Sequence, residues 1–333
     1  MIPKRSLLAV AVLLAVSFLA WWLWQKRGDP DAWFRRLPGE NVLLLHLDVA
    51  ALRATTSLSP LLQSQVPPDP DYAAFVRQTG FDYQRDLDQA AVCYLSDRVY
   101  ILARGRFDPA RLRAYAQAQG GACPGDRPCH MPASQPGRRI SFLLLASDTL
   151  ALATAPETDA VLALQKEPTV NATPLVQTAK TMNGGSGLLW LTAAPSTLGQ
   201  ALPGGVAILA GALSKAQRAY LFLNPQPAGV QVVLHAVCAS EAQAAETRRL
   251  LQGIHDLIGG LARKGPAEWT KVLNSAIVDQ QGTVARVTWL LDAEILRQLG
   301  TLTTGATGSG SSNPDRTTGR SPGSDRPAGT GKD

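Results

Sequence analysis

Residues 91–109, Ala-Val-Cys-Tyr-Leu-Ser-Asp-Arg-Val-Tyr-Ile-Leu-Ala-Arg-Gly-Arg-Phe-Asp-Pro, hold two strands, a turn and a helix start. Ala91–Leu95 and Val99–Arg104 are rich in β-branched and aromatic residues and flank Ser96-Asp97, which predicts a hairpin. Asp108 has the short acceptor side chain that suits an N-cap. Pro109 suits the first helical position, where its missing N–H would have no partner. Leu112, Tyr115 and Ala116 share a face, and Gly120-Gly121 ends the helix. Hairpins connected in sequence, with helices placed on one face, predict antiparallel pairing and an α+β fold.

Working outward, the same punctuation appears twice. Before the hairpin, Val42–Asp48 reads as a strand and Ala50–Leu62 as helical. A break at Pro67, Pro68 and Pro70 and a short helix at Tyr72–Gln78 follow. After the Asp108 helix, strands Ile140–Ala146 and Leu150–Thr154 flank Ser147-Asp148, and a helix at Glu157–Gln165 closes the unit. In the second half Leu188–Thr192 is a strand, and Pro195–Lys215 is helical material interrupted at Pro203-Gly204-Gly205. Ala219–Leu223 and Val230–Val237 form a hairpin. Ser240 and Gln243 are spaced as a capping box before a long helix. Leu250, Leu251, Ile254, Leu257, Ile258 and Leu261 recur on one face of that helix at the 3.6-residue period. Strands Ala276–Asp279 and Val284–Leu291 and a helix Ala293–Leu299 complete it. The expectation is two tandem β-α-β-β-α-β-β-α units with mainly antiparallel sheets, over residues 38–166 and 168–299. Gly184-Gly185-Ser186-Gly187 reads as a flexible linker between the halves, just ahead of the Leu188 strand. Residue identity between the halves is low, so this rests on element order. How the two sheets are arranged is left open.

The ends differ in kind from the body. Leu7–Trp24 is apolar except for Ser17, and as a helix it spans roughly 27 Å, close to bilayer hydrocarbon thickness. Lys4 and Arg5 precede it, and Ala15-Val16-Ser17 resembles a leader cleavage site, so a cleaved signal peptide is the alternative. The apolar run outlasts that site and ends in Trp21, Trp22 and Trp24, residue types that favour the membrane interface. Residues 1–27 are therefore expected to be a cytoplasmic stub and single-pass transmembrane signal anchor in the inner membrane, holding a periplasmic or otherwise extracytoplasmic body. Residues 301–333 are dominated by Gly, Ser, Thr, Pro, Asp and Arg, with too little apolar surface to offset the entropy of ordering, which predicts a disordered tail.

The 333 residues carry a formal net charge of +6, but Lys and Arg are scattered. No run of basic residues interleaved with aromatics marks a nucleic-acid face. Cys123 and Cys129 bracket Pro-Gly-Asp-Arg-Pro, a turn-rich loop that suits a disulfide in an oxidising compartment. A metal site using Cys123, Cys129 and His130 is the alternative, and it lacks a second ligand pair at the usual spacing. Cys93 and Cys238 sit in apolar runs and read as small buried hydrophobes. Asp82, Asp86 and Asp88 lack the regular oxygens and closing Glu of a calcium loop and read as a solvated connection. His46 and Asp48 stand two apart on one strand face, where a base and its orienting carboxylate would stand. His235 also lies on a strand, and the common reading of both is an ordinary strand face. Gly184–Gly187 precedes a strand and so is no nucleophile elbow. No phosphate-binding glycine motif follows a strand. No catalytic residue, cofactor or metal site is assigned.

Gly80-Phe-Asp with Asp86-Leu-Asp88, the hairpin, and Ala103-Arg-Gly-Arg-Phe-Asp108 before a helix together resemble uncharacterised bacterial envelope proteins. These have one N-terminal anchor and a duplicated α+β extracytoplasmic body. The likeness is best over residues 38–166, and it implies structure and no site residues. The expected function is a non-enzymatic binding or scaffold protein of the envelope with a protein or lipid partner. The alternatives are a carrier enclosing a hydrophobic ligand or lipid between the two units and, behind that, a hydrolase using His46 or His235.

Overall fold

The computed structural model describes residues 31–55, 70–125, 127–185, 187–201, 207–227, 229–262 and 275–292. A 3-10 turn at Ala32–Arg36 leads into β1 (Leu43–Asp48) and α1 (Val49–Ala54). α2 (Pro70–Thr79) and the one-turn α3 (Tyr83–Asp86) precede the hairpin of β2 (Leu87–Tyr94) and β3 (Val99–Gly105). Next come α4 (Pro109–Ala118), β4 (Cys129–Pro132), β5 (Arg139–Ala146), β6 (Thr149–Ala155) and a second 3-10 turn at Ala160–Gln165. α5 (Thr173–Asn183) connects to β7 (Leu189–Ala193), α6 (Pro195–Ala201) and α7 (Ala207–Ala212). The hairpin of β8 (Ala216–Gln226) and β9 (Gly229–Cys238) is followed by α8 (Glu241–Ala262), β10 (Ile277–Gln281) and β11 (Val284–Asp292).

Local chemistry accounts for the boundaries. The Asp108 carboxylate accepts from the backbone N–H of Ala110 at 3.0 Å and of Arg111 at 3.1 Å, satisfying two of the open donors of α4. Asp108→Ala is expected to lower stability by about 1 kcal/mol, read as a shift in the urea midpoint at unchanged slope. Ser240 Oγ accepts from Gln243 N–H, and Gln243 Oε1 accepts from Ala239 N–H, closing the start of α8 from both sides. Gly105 has a different constraint: a Cβ there would lie 2.2 Å from the Asp86 carbonyl oxygen, so only glycine lets β3 pass α3.

The strands form one eleven-stranded sheet in the order β10-β11-β9-β8-β7-β1-β2-β3-β6-β5-β4. Every pairing is antiparallel. The fold is α+β with a large antiparallel sheet. β1 and β7 pair directly, with Leu45 opposite Leu191 and His46 opposite Trp190, so the halves meet within one sheet. Outward from β1 run β2, β3, β6, β5 and β4; outward from β7 run β8, β9, β11 and β10.

Side-chain alternation divides the core between the two faces. One face carries Leu44, Ala91, Cys93, Leu102, Ala153, Trp190 and Phe222, packed under Trp33 and Phe34, α5 and the Ala160–Gln165 turn. The opposite face carries Leu43, Ala193, Leu234, Ala285 and Val287 under α6, α7 and α8, with Ala103, Phe142 and Leu150 under α4. The expectation of helices on one face is thus corrected. A sheet this wide has two apolar faces, and each has to be covered. In α8 the single-face reading also fails in part. Leu251 is buried, whereas Leu250 and Leu257 are 42% and 58% exposed, because the sheet touches only a narrow stripe of the helix.

The expectation of a transmembrane, single-pass chain is corrected as well. No helix among the described residues is long and apolar enough to cross a membrane. α8, with 22 residues, has the length but is interrupted by Glu241, Glu246, Arg248, Arg249 and Asp256. Leu7–Trp24 with Trp21, Trp22 and Trp24, the helix expected at Ala293–Leu299, and the tail lie outside the described residues.

Candidate functional site

At the junction of the halves, His46 projects from β1 into an aromatic enclosure. Its ring stacks on Trp190 from β7 at 5.5 Å, lies 5.5 Å from Phe34 and meets Trp33 edge-on at 6.0 Å. The Arg104 guanidinium of β3 sits 4.9 Å above the Trp33 ring. Lys180 of α5 pairs with Asp31 at 2.5 Å and ties the segment before the Ala32–Arg36 turn to the body. His46 Nδ1 is buried without a hydrogen-bond partner. Burial pushes the His46 pKa down to about 4; Asp48 and Asp31 oppose that, and Lys180 and Arg104 add to it.

Asp48 does not orient this imidazole. One carboxylate oxygen accepts from Ala51 N–H at 2.8 Å, capping α1, and the other accepts from Gln89 at 3.2 Å. The site is therefore a half-buried imidazole packed among aromatic rings, with Nδ1 unpartnered and its pKa lowered. His235 on β9 lies opposite Tyr220 and Arg286. That is three strands from His46, roughly 14 Å at about 4.8 Å per strand. Arg286 is occupied by Asp279 at 2.5 Å, and the His235 pKa is lowered by burial and by Arg286. His130 is on the edge strand β4 and His255 on α8, so the structure brings none of the four histidines together.

The acidic residues between α2 and β2 have separate structural roles. Asp82 caps α3 through Gln84 N–H and accepts from Tyr72 Oη. Asp88 pairs with Arg53 at 2.8 Å. Asp86 is buried and accepts from Arg85, Arg106 and the Asp82 N–H; the Arg85 contact above all holds its carboxyl at about 2. Phe81 stacks on Phe107 at 5.0 Å. The motif residues Gly80-Phe-Asp and Arg-Gly-Arg-Phe thus pack against each other as a corner. No group of three or more His, Cys, Asp or Glu among the described residues is placed to hold a metal ion.

Cys123 and Cys129 are joined as a disulfide six residues apart, at the start of edge strand β4. Replacing both by Ser is expected to remove about 2 kcal/mol, the loop-closure value for so short a ring. The same loss should appear in wild type on reduction and be absent from the double variant, measured by denaturant unfolding with and without dithiothreitol. Two clefts flank the loop. One, of about 280 Å³, is lined by Pro109, Arg113, Arg127, Phe142, Leu144 and Gln165 among others. The second, of about 400 Å³, shares Arg127 and Pro128 and adds His130, Asp159 and Leu162. Arg113 and Arg127 carried no sequence signal, because only the fold brings α4 and the disulfide loop to the end of β5. Cys93 and Cys238 are both buried and unpaired, and burial pushes the Cys93 thiol up to about 12.

No protein-family model and no curated protein matches the chain. Crystal structures of TP0453 are similar to it. Form III aligns at 13% identity over 82% of this chain and 97% of that one, with a TM-score of 0.46. Form IV aligns at 13% identity over 82% and 99%, with 0.45, and form I at 12% over 82% and 96%, with 0.43. Similarity at this level assigns no role to any residue.

Proposed function

We propose that this is a binding or scaffold protein without catalytic activity, working in an oxidising, extracytoplasmic compartment of a bacterial envelope. The observation that carries the reading is the pairing of β1 with β7. It puts continuous hydrogen-bonded sheet where a carrier would need a cavity between two lobes. The ionisable groups weighed for catalysis have other roles: His46 is boxed by aromatic rings, Asp48 caps a helix, and Asp86 is held by arginines. The Cys123–Cys129 bond supports the compartment, since thiols in a reducing one stay reduced.

The same reading takes the body as two tandem units, residues 38–166 and 168–299. In support, the strands run outward from β1 as strand, hairpin partner, third strand, then the later hairpin in reversed order, and β7 begins the same succession. Leu45 and Leu191, each the third residue of its strand, face one another at the centre.

Two measurements on cells expressing the full chain test the proposal. A Ser96→Cys thiol should react with a membrane-impermeant maleimide in intact spheroplasts, and reaction only after lysis overturns the compartment. Photo-crosslinkers at exposed positions around the sheet should give adducts of defined mass, and uncrosslinked chain at every position overturns the binding role.

A further inference from the structure

β4 is shorter than the strand it pairs with. Its four residues face only part of β5, Cys129 opposite Phe142 through Pro132 opposite Arg139. Beyond Phe142, β5 continues through Leu143, Leu144, Leu145 and Ala146. The chain that would extend β4 alongside them instead turns away at Pro128 into the disulfide loop. The outer edge of these four residues has no strand partner among the described residues, over about 13 Å at about 3.3 Å per residue. The edge carries no lysine and no proline, and its sequence is Leu-Leu-Leu-Ala, with one register shift against β6 between Leu144 and Ala146. The 280 Å³ cleft lies along this edge, with Phe142, Leu143 and Leu144 on one side and Arg127, Pro128 and Cys129 at its end.

Two guanidinium groups stand at the same end. Arg113 comes from α4 and Arg127 from the loop; both are exposed, and neither has an ion-pair partner among the described residues. The Arg113 carbonyl oxygen lies 3.8 Å from Cys123 Sγ, so the disulfide-closed loop packs against α4 there. The second cleft shares Arg127 but includes Asp159, whose carboxylate opposes an anion on that side.

We propose that this notch binds an extended apolar peptide segment ending in a free carboxylate. The peptide adds as a strand antiparallel to β5, continuing the line of β4. That direction brings its carboxyl end to Cys129, where Arg113 and Arg127 receive it, while Leu143 and Leu144 pack its side chains. This deepens the binding reading above and rests on it.

The test titrates the full chain calorimetrically at low ionic strength with the tetrapeptide acetyl-Val-Leu-Val-Leu, as free acid and as C-terminal amide. The acid is expected to bind about tenfold more tightly than the amide and to lose that advantage with added salt. The double variant R113E/R127E, at two exposed side chains, should reverse the preference and bind the acid more weakly than the amide while keeping the wild-type unfolding midpoint. Amide exchange at Leu143–Ala146 should slow when the acid is added. Equal affinity for acid and amide, unchanged affinity in the double variant, or no binding of either form overturns the proposal. A concentration-dependent dimer dissociated by R113E/R127E assigns the notch to a second copy and also overturns it. If the notch fails while crosslinks elsewhere persist, the binding role stands; if no crosslinks form anywhere, both fail.

Discussion

Acidification from about pH 6.5 to about pH 4 is expected to cost the fold on the order of 3 kcal/mol through His46 alone. In the native protein the imidazole is boxed by Trp33, Phe34 and Trp190 and stays neutral down to about pH 4. In the unfolded chain it takes a proton near its ordinary value of 6.5. Between those limits the unfolded state binds more protons, so stability rises with pH. The loss begins as pH falls through 6.5 and levels off below 4, where both states are charged. His235 shifts in the same direction and adds to the same window. Asp86 acts lower: its folded pKa is depressed from 3.8 to about 2, so its stabilisation is present above 3.8 and lost below it. Urea midpoints every half pH unit from 7.5 to 3.5, for wild type and His46→Phe, separate these windows. The variant should keep only the smaller His235 dependence above pH 4. If it retains the full slope, His46 is not the cause.

Trp190→Ala is expected to destabilise by about 3–5 kcal/mol, the range for truncating a large buried aromatic. Trp190 is 5% exposed, stacks on His46 and lies 5.7 Å from Phe34, so its loss opens a cavity where β1 and β7 join. The contacts beneath it come from the Ala32–Arg36 turn, whose Trp33 and Phe34 are held over the sheet by this packing. The variant should also show a smaller acid loss, because water reaching the cavity solvates the His46 cation. A double-mutant cycle of Trp190→Ala with His46→Phe measures that coupling. An additive cycle, or a loss below about 1 kcal/mol, would show that the box does not govern the junction.

The elements most legible from sequence were those with local punctuation. The 91–109 hairpin and helix follow from Ser96-Asp97, Asp108 and Pro109, whose effects act over a few residues. The β8–β9 hairpin and the start of α8 were readable for the same reason. α5, β4, α3 and the Ala32–Arg36 turn were not. α5 has Ala172 at its N-cap without a capping side chain, and β4 has four residues beginning at a cysteine. Neither carries a local signal, and both are held by what they pack on. The segment expected as a helix from Glu157 is a 3-10 turn from Ala160, since Val161 and Leu164 have to reach the sheet over a short span.

By itself the sequence determined the hairpins, ten of the eleven strands and the antiparallel α+β class. Periodicity, turn residues and caps are written within a few positions of where they act. Only the tertiary structure decided that β1 pairs with β7 and that His46 rather than a solvated strand face lies at that join. It also decided that Arg113 and Arg127 meet beside an unpaired stretch of β5. Each of these depends on contacts between residues far apart in the chain. Strand edges and half-buried faces look alike in sequence until packing selects among their possible neighbours.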